Sequence, residues 1–287
     1  ASCCDGLRCD MAMLLLDNVF FNTWRGTLNK MGFAKPAENF WKSALRKVKE
    51  KYPDFIFMAE AYWDLEWELQ QAGFDYTYDK RLTDRLASGQ VKDIHDHLMA
   101  GAEYQVKSVR FIENHDEERS YSLFGKNKTQ AAAVIIGTIQ GMRFFHDGQF
   151  EGRKIKLPVQ LGREPFEHTM VCIKEFYDKL LLIIKEDIFK YGYWQLAEIL
   201  PAWADDVTFE NMLAWTWSYN SERRLIVINY SEIHSHCRIK LDVRGYEDNF
   251  QIADLLHDIV YIRSAEEVFH QGLYIDLKAF QSHIFKF

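Results

Sequence analysis

Three short apolar runs in this chain each deliver an acid at their C-terminal end. Gly6-Leu7-Arg8-Cys9-Asp10 is the first, Phe55-Ile56-Phe57-Met58-Ala59-Glu60 the second, and Val109-Arg110-Phe111-Ile112-Glu113-Asn114-His115-Asp116 the third. The acids stand 50 and then 56 residues apart, and a strand, a helix and the next parallel strand need roughly 30 or more. Parallel strands of an α/β barrel turn their C-terminal ends to one face, so carboxyls from separate strands can meet there. Two carboxyls about 5–5.5 Å apart can cleave a glycosidic bond with retention, one as nucleophile and the other as acid and then base. Any one of these acids, taken alone, reads as readily as a helix cap or an ion-pair partner. The run His115-Asp116-Glu117-Glu118-Arg119 also suits a helix N-terminus, where acids complement the macrodipole. It is the joint pattern that favours catalysis.

The same residues carry a resemblance. Arg8-Cys9-Asp10 resembles the fourth barrel strand of the α-amylase superfamily of glycoside hydrolases, with an arginine two residues before the nucleophilic aspartate. Ala59-Glu60-Ala61-Tyr62-Trp63 resembles the fifth-strand segment with the acid/base glutamate, and Ile112-Glu113-Asn114-His115-Asp116 the seventh-strand motif ending in the transition-state aspartate. The motifs span roughly residues 1–165, and beyond them the likeness is one of order and composition. It implies an α/β fold: a partial (β/α)8 barrel of the TIM type, about strands 4–8, followed by an antiparallel β-sandwich domain. The implied activity is retaining cleavage of α-glucosidic bonds in starch- or glycogen-like oligo- and polysaccharides.

On that reading Asp10 is the nucleophile, Glu60 the general acid and base, and Asp116 the transition-state stabiliser, the last by resemblance alone. Arg8 shares a strand face with Asp10 and favours its ionised form. The apolar approach to Glu60 (Phe55, Phe57, Ala59) and the neighbouring Trp63 favour a neutral acid. Arg8, His115, Tyr62, Trp63 and Tyr76 are candidate substrate contacts, with Tyr78 beside them. Two departures from the family leave acceptor specificity open. Met13 stands where many members carry a lysine or another polar sugar contact, and Glu118 where a proline is common. Three functions fit the motifs: a retaining α-glucan hydrolase, a transglycosylase in which a sugar replaces water as acceptor, and a non-catalytic carbohydrate-binding relative. The presence of all three acids disfavours the last, and nothing in the sequence separates the first two.

The elements that must position these residues alternate. Strands are expected over 6–10, 55–60, 74–78, 109–112 and 142–146, with a long connection after the first. Apolar residues at the helical period predict a helix from Ala37 to Lys51, stopped by Pro53, and another through Ile173, Tyr177, Leu180 and Ile184. Shorter helices are expected over 64–72, ended by Gly73, and over 80–88 and 90–101. Ala131–Ile139, apolar on all sides, predicts a buried helix. After about residue 195 short β-prone runs separated by turn signals predict an antiparallel domain. The expected division is therefore 1–195 and 196–287.

The formal charge of −7 and a pI near 5.8 argue against a nucleic-acid partner. No apolar run nears the roughly 18 residues of a membrane span. Five cysteines in no framework spacing suggest free thiols and a reducing, cytoplasmic setting. His234-Ser235-His236-Cys237 would place two imidazoles on one strand face, but no second ligand pair stands at a supporting spacing, and no metal is assigned. His95-Asp96-His97 reads as a solvated helix face. No cofactor is identifiable. The family's calcium draws on an N-terminal half that this sequence, which begins at Ala1 without a leader pattern, does not contain. Five strands cannot close an eight-stranded barrel. The chain alone is expected to be inactive, or to associate through its open edges.

Overall fold

The expected strands form and pair in sequence order. β1 (Gly6–Cys9), β2 (Ile56–Ala59), β3 (Tyr76–Tyr78), β4 (Ser108–Arg110) and β5 (Met142–Arg143) make one parallel sheet, running β1-β2-β3-β4-β5. The computed structural model describes residues 3–246 and 248–287. Among these the parallel sheet is not closed, and β1 and β5 are its edges. Gly6 lets β1 approach β2, since a Cβ there would meet the Ile56 carbonyl oxygen at 2.5 Å.

The chain divides into two compact units. One holds the residues up to Thr83 with Ala100–Arg110 and Gln140–Phe144. The other holds Asp84–Met99, Phe111–Ile139 and Phe145–Phe287. The five-stranded sheet lies in the first. Strand alternation sorts its side chains into two faces. Phe57 and Ala59 pack with Trp41, Leu45 and Leu69 from the flanking helices and with Phe74 just before β3, each large apolar side chain contributing about 1.5–3 kcal/mol on burial. The register Arg8–Met58–Tyr76 defines the opposite face.

The helix expected from Ala37 starts at Phe40 and ends at Lys51, because the Asn39 side chain accepts from Trp41 N and fixes the N-cap there. Glu66–Gln71 is the next helix, and Gly73 follows it at φ 111°. The connection after β1 is mostly helix, Asp17–Met31, against expectation. Phe20, Trp24, Leu28 and Met31 have the helical period, yet none of its residues is buried.

The second unit contains the expected apolar helix. Ser120–Thr138 is broken by a non-helical Gly125 at φ 69°, and it is buried from Ala131 to Thr138. Val91–Leu98 is helical with His97 buried, so His95-Asp96-His97 is not wholly a solvated face. Its β-sheets are both antiparallel. β6 (Tyr193–Leu196), β7 (Ile199–Leu200), β8 (Met212–Tyr219), β9 (Glu222–Asn229), β10 (Ser235–Ile239), β11 (Asn249–Asp254), β12 (Ile259–Ser264), β13 (Leu273–Leu277) and β14 (Ser282–Lys286) assemble as β12-β11-β14-β9-β8-β6 and β13-β10-β7. Residues of both, including Leu225, Val227, Ile239, Ile252, Ile275 and Phe285, share one core.

A charge cluster around buried Asp254 lies at the end of β11, with His257 at the surface. Asp254 Oδ2 accepts from His257 Nδ1 at 2.5 Å and His283 Nδ1 at 2.6 Å. Burial alone would push the Asp254 carboxyl up, but the two hydrogen bonds and the ring charges outweigh it and hold it well below the usual carboxylate range. The hydrogen bond to Asp254 raises His257 against its burial, with Lys179 opposing and Asp258 supporting the ring's charge. A lowered acid contributes stability above its unfolded value and loses it as pH falls through the folded one. A raised histidine contributes below its unfolded value and loses it as pH rises through the folded one. The pair therefore contributes most between about pH 4 and 6.5. Asp254→Asn is expected to cost about 1.5–3 kcal/mol in urea unfolding at pH 5.5, and less at pH 8.5. A cost independent of pH would contradict the charged pairing.

Candidate active site

Asp10 follows β1 and Glu60 follows β2, each two residues beyond a member of the Arg8–Met58 pair and so on the same face. Arg8 joins them. Its Nη1 donates to Asp10 Oδ1 at 2.5 Å, and its Nη2 stands 2.9 Å from Glu60 Oε1. The second contact is an ion pair without hydrogen-bond alignment, leaving Nη2 and Nε buried with no hydrogen-bond partner. Burial opposes the charge on Arg8, but its hydrogen bonds with Asp10 and Tyr78 and the charge of Glu60 outweigh it and raise its pKa. The guanidinium lies 5.5 Å from the Tyr78 ring centre.

Glu60 is 3% exposed. In addition to its ion pair with Arg8, it accepts from Met11 N at 2.6 Å and from the Tyr62 hydroxyl at 3.3 Å. Its surroundings are thus polar at the carboxyl itself, alongside the apolar approach along β2 that the sequence shows. Its backbone is paired as well: Glu60 N donates to Cys9 O, and Ala12 N to Glu60 O. The turn after Asp10 therefore wraps the Glu60 carboxyl. Trp41 Nε1 donates to Ala12 O at 2.7 Å, and Ala12 and Met13 are fully buried, so helix Phe40–Lys51 anchors that turn. Met13 serves the core rather than a sugar.

Three non-glycine residues here have left-handed backbones: Met11 at φ 43°, Trp63 at φ 63° and Asp64 at φ 63°. Such conformations cost about 1–3 kcal/mol each and cluster where a site imposes them. At Met11 the conformation aims N–H at Glu60. At Trp63 it accompanies an indole 62% exposed, while Asp64 pairs with Arg81 at 2.7 Å. Asp10, by contrast, has a side chain 75% exposed.

The third motif lies in the second unit. Asn114 Oδ1 accepts from Asp116 N at 2.8 Å and Glu117 N at 3.0 Å, which sets the backbone under Asp116. His115 Nε2 is 3.0 Å from Asp116 Oδ2, and both side chains are substantially exposed. Glu113 is buried instead. It accepts from Arg119 Nη1 and from Ser120 N and Oγ, each at 2.7 Å, and so closes the N-terminus of helix Ser120–Thr138. Burial and then the Arg119 charge push His146, 2.9 Å from Arg119, below its ordinary value.

The structure thus brings Arg8, Asp10, Glu60 and Tyr62 together within the first unit, and His115 with Asp116 within the second. Tyr76 is half-buried on β3 beside Met58. Tyr78 is buried and supports Arg8 rather than standing open to a sugar. Sequence reasoning missed the Met11 amide and the Glu113–Arg119 pair. It also missed Arg110 with Asp79, both fully buried on the first sheet's helix-covered side.

No family model matches the sequence, and no curated protein does. Solved structures do. A maltogenic α-amylase from Thermotoga neapolitana is 18% identical, with TM-score 0.65 over 94% of this chain and 65% of that one. The Geobacillus thermoleovorans α-amylase, complexed with acarbose, is 15% identical, with TM-score 0.65 over 86% and 56%. The Nostoc punctiforme debranching enzyme, soaked with acarbose, is 15% identical, with TM-score 0.67 over 99% and 57%. The fold is that of the α-amylases. This chain spans little more than half to two thirds of their length, and its amylase-type parallel sheet is correspondingly open.

Proposed function

We propose that the chain carries the catalytic carboxylates of a retaining glycoside hydrolase acting on α-glucosidic bonds of starch- or glycogen-like saccharides. The observation that supports this most is the single Arg8 guanidinium in contact with both the Asp10 and Glu60 carboxylates on one sheet face, beyond the C-terminal ends of adjacent parallel strands. Acarbose in the complexes of two structural neighbours supports an oligosaccharide as substrate.

In this reading exposed Asp10 attacks the anomeric carbon while Glu60 gives its proton to the leaving oxygen. A covalent glycosyl-enzyme forms, and Glu60 then takes a proton from the incoming water. Arg8, cationic throughout, keeps Asp10 aimed along β1 and gives up part of its pairing as the ester forms. The Met11 amide and the Tyr62 hydroxyl hold Glu60 in place through both half-reactions. Asp116 keeps the role of transition-state stabiliser on its motif, and His115 that of a hydroxyl contact. Trp63, strained and exposed, supplies an apolar face for a sugar ring. The five cysteines, none bonded to another, support a reducing compartment.

The test is the product of maltooligosaccharide cleavage by a protein that combines this chain with the remainder of a barrel. Proton NMR of the first product is expected to show the α-anomer. A β-anomer would remove Asp10 from the nucleophile's role, and products longer than the substrate would make the protein a transglycosylase.

A further inference from the structure

We propose a divalent transition-metal site at His234, His236 and Asp276, on the outer face of the β13-β10-β7 sheet. It is independent of the glycosidase reading.

The site follows from strand alternation and register. In β13 the buried residues are Leu273, Ile275 and Leu277, so Tyr274 and Asp276 face outward. In β10 Ser235, Cys237 and Ile239 are buried, so His236 faces outward, and His234 precedes it by two on the same face. The antiparallel pairing sets His236 directly opposite Asp276. His-x-His on one strand thereby gains a carboxylate from a strand 40 residues later.

One ligand atom from each side chain lies within 4.8 Å of the others. His234 Nε2 meets Asp276 Oδ1 directly, and His236 Nδ1 stands 4.0 Å from Asp276 Oδ2. Ligands on an ion at about 2.1 Å stand about 3–3.5 Å apart, a separation that rotation of these open side chains reaches. The imidazoles are stacked with centres 4.8 Å apart and planes 25° from parallel, so both present an edge to the same space. The Tyr274 hydroxyl, 3.0 Å from His236 Nδ1, now occupies the nitrogen nearest Asp276, and the ion would displace it there. Arg238, the cation over the Tyr274 ring at 5.6 Å, is paired with Glu267 at 3.5 Å.

Two imidazoles and one carboxylate form a nitrogen-rich set. It suits zinc and its neighbours, whereas calcium takes six to eight oxygens. Three protein ligands on an exposed face leave the remaining positions to water or a fourth donor. The ion would tie edge strand β13 to β10. The comparable group at Asp254 is unlike it: there one buried carboxylate oxygen is already shared by two imidazole N–H donors.

The experiment titrates the chelator-treated full chain with ZnCl2 by calorimetry and records thermal unfolding with and without the ion. The comparison protein is His234→Ala/His236→Ala. Its altered side chains lie on the solvent side, and circular dichroism checks its fold. Wild type is expected to bind one equivalent more than the double variant and to gain more in Tm. Asp276→Asn is expected to weaken that equivalent by about tenfold or more. Binding at the exposed thiols Cys3 and Cys4 is common to all these proteins and cancels. Equal stoichiometry and equal Tm gain in wild type and double variant would overturn the proposal. So would loss of the equivalent in His257→Ala instead, which would put the ion at the Asp254 cluster.

Discussion

Asp10→Asn is expected to lower kcat on maltooligosaccharides by about 10⁴-fold or more while the fold persists. Removing the nucleophile of a covalent mechanism leaves only binding and the remaining electrostatics, and losses of this order follow. The side chain is 75% exposed, and its ion pair with Arg8 is at the surface. Its loss is therefore worth at most about 1 kcal/mol of stability. Matched melting curves beside a kcat loss of this size would assign Asp10 to the chemistry. A variant with near wild-type kcat would return Asp10 to the status of a partner for Arg8.

Glu60→Gln carries the second largest effect, and its substrate dependence is the informative part. Proton donation contributes typically about 10²–10⁴-fold, so unactivated maltooligosaccharides should lose turnover within that range. An α-glucosyl fluoride, whose leaving group needs little protonation, should lose far less in the first half-reaction. Added azide should restore the second by replacing the water that Glu60 deprotonates. The variant keeps an acceptor for Met11 N–H but turns an amide toward Arg8, and Glu60 is buried. A stability cost of about 1–3 kcal/mol is therefore expected alongside, and assays belong well below the variant's Tm. Equal loss on activated and unactivated substrates would move the acid elsewhere.

The sequence by itself determined the parallel strands that carry Asp10 and Glu60. Short apolar runs with an acid after the last residue and helical sequence between them have few other solutions. It also determined the antiparallel character of the C-terminal strands, since alternation and turn signals are local properties. The pairing of Arg8 with Asp10 was legible for the same reason: two residues apart on a strand means one face.

The tertiary structure alone decided what depends on contacts between distant segments. That Arg8 also reaches Glu60 follows from the β1–β2 register. That Met11 aims its amide at the same carboxyl follows from a left-handed backbone that no residue type announces. Helix Asp17–Met31 went unread although Phe20, Trp24, Leu28 and Met31 recur at its period, because none of that stripe is buried and no core confirms it. Tyr78 read as a sugar contact until burial put it beneath Arg8. His234 and His236 read as a pair without support because their third partner, Asp276, lies 40 residues beyond His236. Only antiparallel pairing of β10 with β13 brings it opposite, since side-chain period 2 fixes the face while register fixes the neighbour.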